Sequence, residues 1–298
     1  MNICPVCEEE FPDNEISTMS SHFYSKAKIS DSKHIMWLNR EISKERVPLD
    51  ILTKKLEEYY DASSGGLSAW IKKRFVERFF SDNPNIFVLE MQHPTKYTIM
   101  GYVTEHYHFL QQWVKSCAFI IARTDFFEVQ KFEFDNISEE YFGLNGQPPH
   151  FELLLRMGES VGLKRDRVIS SHPLPATVKE LNFLNKVSSS AHWLDAMVSM
   201  HSLELIADRN VKQYGAKYAY FRHEILEGEV SKETARFLMA GYYADQYHSG
   251  DALRLIDKYA TEYEMGTEVQ SYFLRSADYF YDYLNARYER GRMYEKEL

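Results

Sequence analysis

Apolar residues in this chain recur at intervals of three and four over stretches too long for strands, and that periodicity limits the fold more than any other feature. Val103, Tyr107, Leu110, Val114, Cys117 and Ile121 step along one helix face. Phe237, Gly241, Ala244, His248, Ala252, Leu255 and Tyr259 do the same. Breakers fall at Ser63-Ser64-Gly65-Gly66, Asp82-Asn83-Pro84-Asn85, Gly143 to Pro149, Ser170 to Pro175 and Glu227-Gly228-Glu229, with segments of helical length between them. From about Lys44 onward the pattern predicts an all-α bundle of about eight helices, with no internal repeat or low-complexity segment.

With 298 residues, 44% of them hydrophobic, the chain can bury a full core as one large domain or as a domain plus a small module. Its 21 tyrosines and 19 phenylalanines suit either core packing or the walls of an apolar cavity. A net charge of -9 without a basic stripe argues against nucleic acid as the main partner. No apolar run approaches the roughly 18 residues of a membrane span, and the opening MNICPVC does not resemble a signal peptide. A soluble, cytoplasmic protein is expected.

Residues 1–45 differ from the remainder and are read as a small module preceding a helical domain over 46–298. They hold Cys4-x2-Cys7, the only close cysteine pair, followed by His22 and His34. A Cys-x-x-Cys turn lets two thiolates reach one ion, and two imidazoles complete a tetrahedral zinc set. The interval from His22 to His34 is longer than in an ordinary finger. The module has five Lys/Arg against eight Asp/Glu, a charge of -3. A DNA-reading finger should be basic, so a structural zinc that folds or docks this segment is expected.

In the helical domain the informative residues are charged groups on apolar stripes, because a buried carboxylate must be neutralised, paired or bound to a cation. Asp245 and His248, three apart, share one helix face. His150 heads the stripe Leu153, Leu154, Met157, Val161, with Glu139 and Glu140 across the preceding loop. His201 lies within the stripe Leu194, Met197, Val198, Leu205 of a helix over 190–208, and Glu204 follows three residues on. Glu105 and His108 lie opposite their helix's apolar stripe and read as a solvated face. Carboxylates and imidazoles directed inward from several helices are how bundles hold two iron or manganese ions, and mixed oxygen and nitrogen donors with open positions suit iron that activates dioxygen.

The order of these segments resembles the heme-oxygenase-like di-iron oxidases, relatives of the PQQ-synthesis oxidase and the thiaminase II fold. The stretches that carry it are Glu139-Glu140, His150-Phe151-Glu152-Leu153-Leu154, Gly158-Glu159-Ser160-Val161-Gly162-Leu163, His201-Ser202-Leu203-Glu204 and Ala244-Asp245-Gln246-Tyr247-His248-Ser249, over roughly residues 70–285. The resemblance implies seven to eight helices around a central cavity. It also implies iron ligands at Glu140 (or Glu139), His150, Glu204, Asp245 and His248. The family's last helix usually reads His-x-x-x-Asp-x-x-His, and its first histidine falls here on Gly241, which cannot ligate a metal. Three readings remain open: His201 substitutes, one ion is labile or absent, or metal chemistry has been lost.

What the resemblance implies for function is an O2-dependent non-heme iron oxidase or oxygenase acting on a small amine or amino-acid-like molecule in specialised metabolite biosynthesis. One or two irons, structural zinc and O2 as co-substrate are the expected cofactors, with His201 and Glu204 as candidate catalytic residues. The expected partners are a small-molecule substrate and an external electron donor, with a homodimer as the candidate assembly and neither nucleic acid nor membrane. The alternatives are a cofactor-free oxidase of the same fold and a non-enzymatic binding protein.

Overall fold

The structure is a computed structural model that describes residues 2–11, 15–143 and 146–297, and the side chains of all of these except 243–249. A two-stranded antiparallel hairpin, β1 (Asn2–Ile3) and β2 (Glu10–Phe11), opens the chain. The helices α1 (Ile16–Lys28), α2 (Ser32–Glu41), α3 (Leu49–Tyr60), α4 (Gly66–Phe79) and α5 (Ile86–Glu90) follow. The long α6 (Lys96–Arg123) leads into α7 (Phe127–Phe142), α8 (His150–Ser160), α9 (Arg165–Ile169), α10 (Pro175–Ser190) and α11 (Trp193–His201). Three short 3-10 helices over Ser202–Ala207, Val211–Tyr214 and His223–Glu227 connect to the two longest helices, α12 (Lys232–Glu262) and α13 (Gly266–Glu297). The fold is the expected all-α bundle. The described helices exceed eight because α1 and α2 belong to the N-terminal segment and several others are short. Among the described residues, the predicted breakers lie between helices or at their first or last residue. No helix among the described residues is long and apolar enough to cross a membrane.

Local chemistry sets the helix starts. Thr95 and Thr98 form a reciprocal capping box at the head of α6. Ser231 caps α12 by accepting from the Thr234 amide. One expected helix divides: the segment read as a single helix over 190–208 is α-helical to His201 and then tightens into a 3-10 turn that carries Glu204.

Helices α6 and α13 form the spine. A Cβ added at Gly101 would lie 2.2 Å from the Arg287 carbonyl oxygen and 2.5 Å from the Gly291 amide nitrogen, and one added at Gly291 would lie 2.8 Å from the Tyr97 carbonyl oxygen. Only glycine permits so close an approach of two backbones. A second tie between these helices corrects the sequence reading: Glu105 is fully buried rather than solvated. It accepts from Arg290 Nε of α13 at 2.7 Å and from the Leu174 amide at 3.0 Å. His108 is half-buried against Ser171, with Nε2 2.9 Å from Oγ. Helix α6 is packed on more than one side, so at Glu105 the face opposite its apolar stripe is covered.

The N-terminal module is built around Cys4, Cys7, His22 and His34, whose ligand atoms all lie within 4.8 Å of one another. Cys4 Sγ is 3.5 Å from His34 Nε2, Cys7 Sγ is 3.4 Å from His22 Nε2, and the two Nε2 atoms are 3.1 Å apart. Bonds of about 2.3 Å to sulfur and 2.0–2.1 Å to nitrogen would give a tetrahedron with edges of about 3.3 Å (N–N), 3.6 Å (S–N) and 3.8 Å (S–S), within a few tenths of an ångström of these separations, so the four donors fit zinc. Carboxylates orient both rings, Asp31 on His34 Nδ1 at 2.7 Å and Glu9 on His22 Nδ1 at 3.3 Å. Asp31 also caps α2 through the His34 amide. The long His22–His34 interval has a simple cause: the histidines stand on two helices, α1 and α2, with a left-handed Ser30 between them. Burial pushes the Cys4 thiol up to about 12, and a bound dication would offset that by favouring the thiolate. The module docks on the bundle through Glu8, whose carboxylate meets Arg275 of α13 at 2.6 Å and Lys186 of α10 at 2.5 Å, and through Asn2 on Ser271 at 3.0 Å. The sequence-read boundary at residue 45 lies in the segment between α2 and α3.

Two outcomes are expected. The purified chain should carry about one zinc per molecule, and Cys7→Ala should remove it and open the first 45 residues to limited proteolysis with little change in far-UV helicity. Full zinc retention in that variant would contradict the assignment. Gly101→Ala should cost about 1–3 kcal/mol in chemical unfolding through overpacking, despite a helix-propensity gain of about 1 kcal/mol.

Candidate active-site cavity

A cavity of about 110 Å³ lies between α6, α7, α8, α12, α13 and the turn at Ser202–Ala207. Most of its wall is aromatic and aliphatic, including Phe109, Trp113, Phe221 and Phe237. Polar groups of both signs enter the wall: the acidic Glu139, Glu140 and Glu204 with His150, and the basic Arg287 beside His106.

The acidic side is built as the sequence order suggested. Helix α7 ends with Glu140 buried, the loop containing Gly143 turns, and Pro149 delivers His150 at the first position of α8. His150 Nδ1 lies 3.0 Å from Glu140 Oε1. Both Glu139 and Glu140 reach the wall, and Glu140 is bonded to His150. Glu204 presents its carboxyl from the 3-10 turn, with Oε1 held 3.1 Å from His201 Nδ1. The second oxygens, Oε2 of both Glu140 and Glu204, are buried and have no hydrogen-bond partner among the described residues.

His201 stands behind this wall, not in it. Its ring is fully buried between the edges of Trp113 and Phe132, and Nε2 meets Glu133 Oε1 at 2.8 Å. Burial alone would lower its pKa, but Glu133 and Glu204 outweigh that and push it up to about 10. An imidazolium donating from both nitrogens has no lone pair to offer. His201 is therefore poorly placed to supply the ligand missing at Gly241; it positions Glu204 instead. Cys117, Glu133 and His201 also lie within 4.8 Å of one another in ligand atoms. Burial and the neighbouring Glu133 carboxylate hold the Cys117 thiol well above its usual range, so it favours the protonated form there.

Gly241 is itself part of the cavity wall on α12. Asp245 and His248 follow one and two turns later on the same helix, and their side chains lie outside the described residues. Glu140, His150 and Glu204 share the wall but do not converge on a single compact cluster among the described residues.

Sequence reasoning missed Glu133, His106 and Arg287. Two of them had a signal. Glu133, Asn136 and Glu140 step by three and four along the buried face of α7. Arg287 continues the buried run Phe280, Tyr283, Leu284 on α13, an arginine where an apolar residue belongs.

Comparison with known proteins agrees with this architecture. The TENA/THI-4/PQQC family model matches residues 86–290, and a C2H2 type zinc-finger model matches one copy over residues 1–61. No curated protein matches. Among solved structures, a domain of unknown function with a heme oxygenase-like fold from Shewanella denitrificans is 18% identical with a TM-score of 0.56, covering 84% of this chain and 96% of that one. A TenA homologue from P. horikoshii is 11% identical with a TM-score of 0.57, covering 80% and 98%. A TenA homolog from Pseudomonas syringae is 16% identical with a TM-score of 0.53, covering 80% and 92%. At these identities the likeness establishes the heme-oxygenase-like fold, while the family model spans most of the chain. On that match, the chain belongs to the TENA/THI-4/PQQC family.

Proposed function

We propose that this chain is an O2-dependent non-heme iron oxidase or oxygenase acting on a small amine or amino-acid-like molecule, supplied with electrons by an external donor and serving a biosynthetic pathway. The observation that carries this reading is the pair of buried carboxylate oxygens without a partner among the described residues, Glu140 Oε2 and Glu204 Oε2, on the wall of one cavity beside His150. Uncompensated buried carboxylates are costly, and a cation between them removes the cost. Donors spread along a wall, two carboxylates and an imidazole from separate elements, are what a bundle uses for a two-ion centre. Asp245 and His248 would add the remaining donors from α12.

Iron bound there would supply dioxygen activation and electron transfer. The protein's own contribution is more specific. The His201 imidazolium fixes one oxygen of Glu204 and leaves the other for the cavity. His150 is oriented by Glu140 through Nδ1. The aromatic wall keeps water from the reacting centre.

A second reading has one observation in its favour: Gly241 occupies the wall where the family pattern expects a histidine. In that case Glu140, His150 and Glu204 would transfer protons without a metal.

Anaerobic loading with Fe(II), followed by metal analysis, separates the two. Wild-type protein should retain one or two irons in addition to zinc, Glu140→Ala and His150→Ala should lose iron but keep zinc, and His201→Gln should weaken iron binding by about 10–100-fold. Absence of iron in the loaded wild type, or turnover that survives exhaustive chelation, would overturn the iron reading.

A further inference from the structure

Arg287 is 2% exposed, lies on α13 and reaches the cavity wall. Its guanidinium donates through Nη1 to Tyr220 Oη at 2.6 Å, and through Nη2 to Tyr283 Oη at 2.6 Å and His106 Nδ1 at 2.9 Å. The Tyr102 and Tyr283 rings stand 4.2 and 4.5 Å from its central carbon. Its Nε has no partner among the described residues. None of these neighbours carries a negative charge. The other well-buried arginines differ: Arg275 faces Glu8, Arg290 faces Glu105, and Arg78 faces Asp278. An arginine remains charged in any protein environment. Arg287 is thus a permanent buried cation whose described partners are phenols, aromatic faces and one imidazole.

The neighbouring groups reinforce the same polarity. Burial and the adjacent Arg287 keep His106 neutral, its pKa well below the ordinary histidine range. Because its Nδ1 accepts from Arg287, the ring proton sits on Nε2, an N–H donor on a residue of the cavity wall. Tyr220 lines the cavity as well. Arginine, imidazole N–H and phenol therefore form a cluster of donors on the wall that also carries Glu140, His150 and Glu204, with His150 near enough to His106 to act on its charge.

We propose that this cluster receives the carboxylate of the substrate, so that the ligand is an organic acid with an apolar body against the aromatic wall. An amino group on such a molecule would face the acidic side, which makes an apolar amino acid or its derivative the substrate class. The proposal rests on the cavity being the substrate site but not on iron.

The test compares binding of 3-phenylpropionate, 3-phenylpropionamide and 2-phenylethyl phosphate by calorimetry, using the protein as purified and again after iron loading. The carboxylate should bind at least about tenfold more tightly than the isosteric amide, the value of a hydrogen bond to a charged group. Arg287→Met should abolish that preference while holding or raising the melting temperature without ligand, because it removes an uncompensated charge. Tyr220→Phe, which keeps the charge, should reduce the preference several-fold. Equal binding of acid and amide overturns the proposal, as does preference for the phosphate, undiminished preference in Arg287→Met, or failure of wild type to bind any aliphatic or aryl carboxylate of two to nine carbons. If the preference holds without iron but iron never binds, the carboxylate site stands and the oxidase reading falls.

Discussion

The contact between α6 and α13 is the constraint on which the rest of the structure depends. At Gly101 the backbones leave no room for a methyl group, since the Arg287 carbonyl oxygen would be 2.2 Å away. That approach fixes the backbone of Arg287 against α6 and sets its side chain beside His106, a little over one turn further along. Glu105 and Arg290 clasp the same two helices. The basic side of the cavity is therefore a consequence of the spine. The acidic side is assembled around it from α7, α8 and the turn after α11.

The two sides are stabilised differently. Glu133, His201 and Glu204 form a nearly closed charge system: one imidazolium between two carboxylates, sealed by Trp113 and Phe132. Removing one partner of such a system typically costs about 3–5 kcal/mol, because the others remain buried. Glu133 and Glu204 each keep one oxygen without a hydrogen-bond partner among the described residues, as Glu140 does, and Arg287 meets no anion among them. The proposed carboxylate site follows from these charges of opposite sign sharing one cavity wall.

Much of this was legible in the sequence, for identifiable reasons. Helices and breakers were readable because periodicity and glycine or proline chemistry are local. The zinc donors were readable from residue type, although their spacing was atypical because His22 and His34 stand on separate helices. Glu105 was misread because an apolar stripe reveals one buried face and is silent about a helix packed on two. His201 was correctly placed in the core, but its orientation depends on Glu133, from a helix distant in sequence. The role proposed for Arg287 rests on something no single segment contains, the absence of a carboxylate among its described neighbours.

On the reading proposed above, the acidic groups of the cavity hold redox-active metal while the N-terminal module holds zinc. Anomalous diffraction recorded across the iron and zinc absorption edges, from crystals loaded anaerobically with Fe(II), tests it directly. The account predicts a zinc peak among Cys4, Cys7, His22 and His34 and an iron peak on the cavity wall at bonding distance from Glu140, His150 and Glu204. Zinc in the module with no iron peak in the cavity would contradict it.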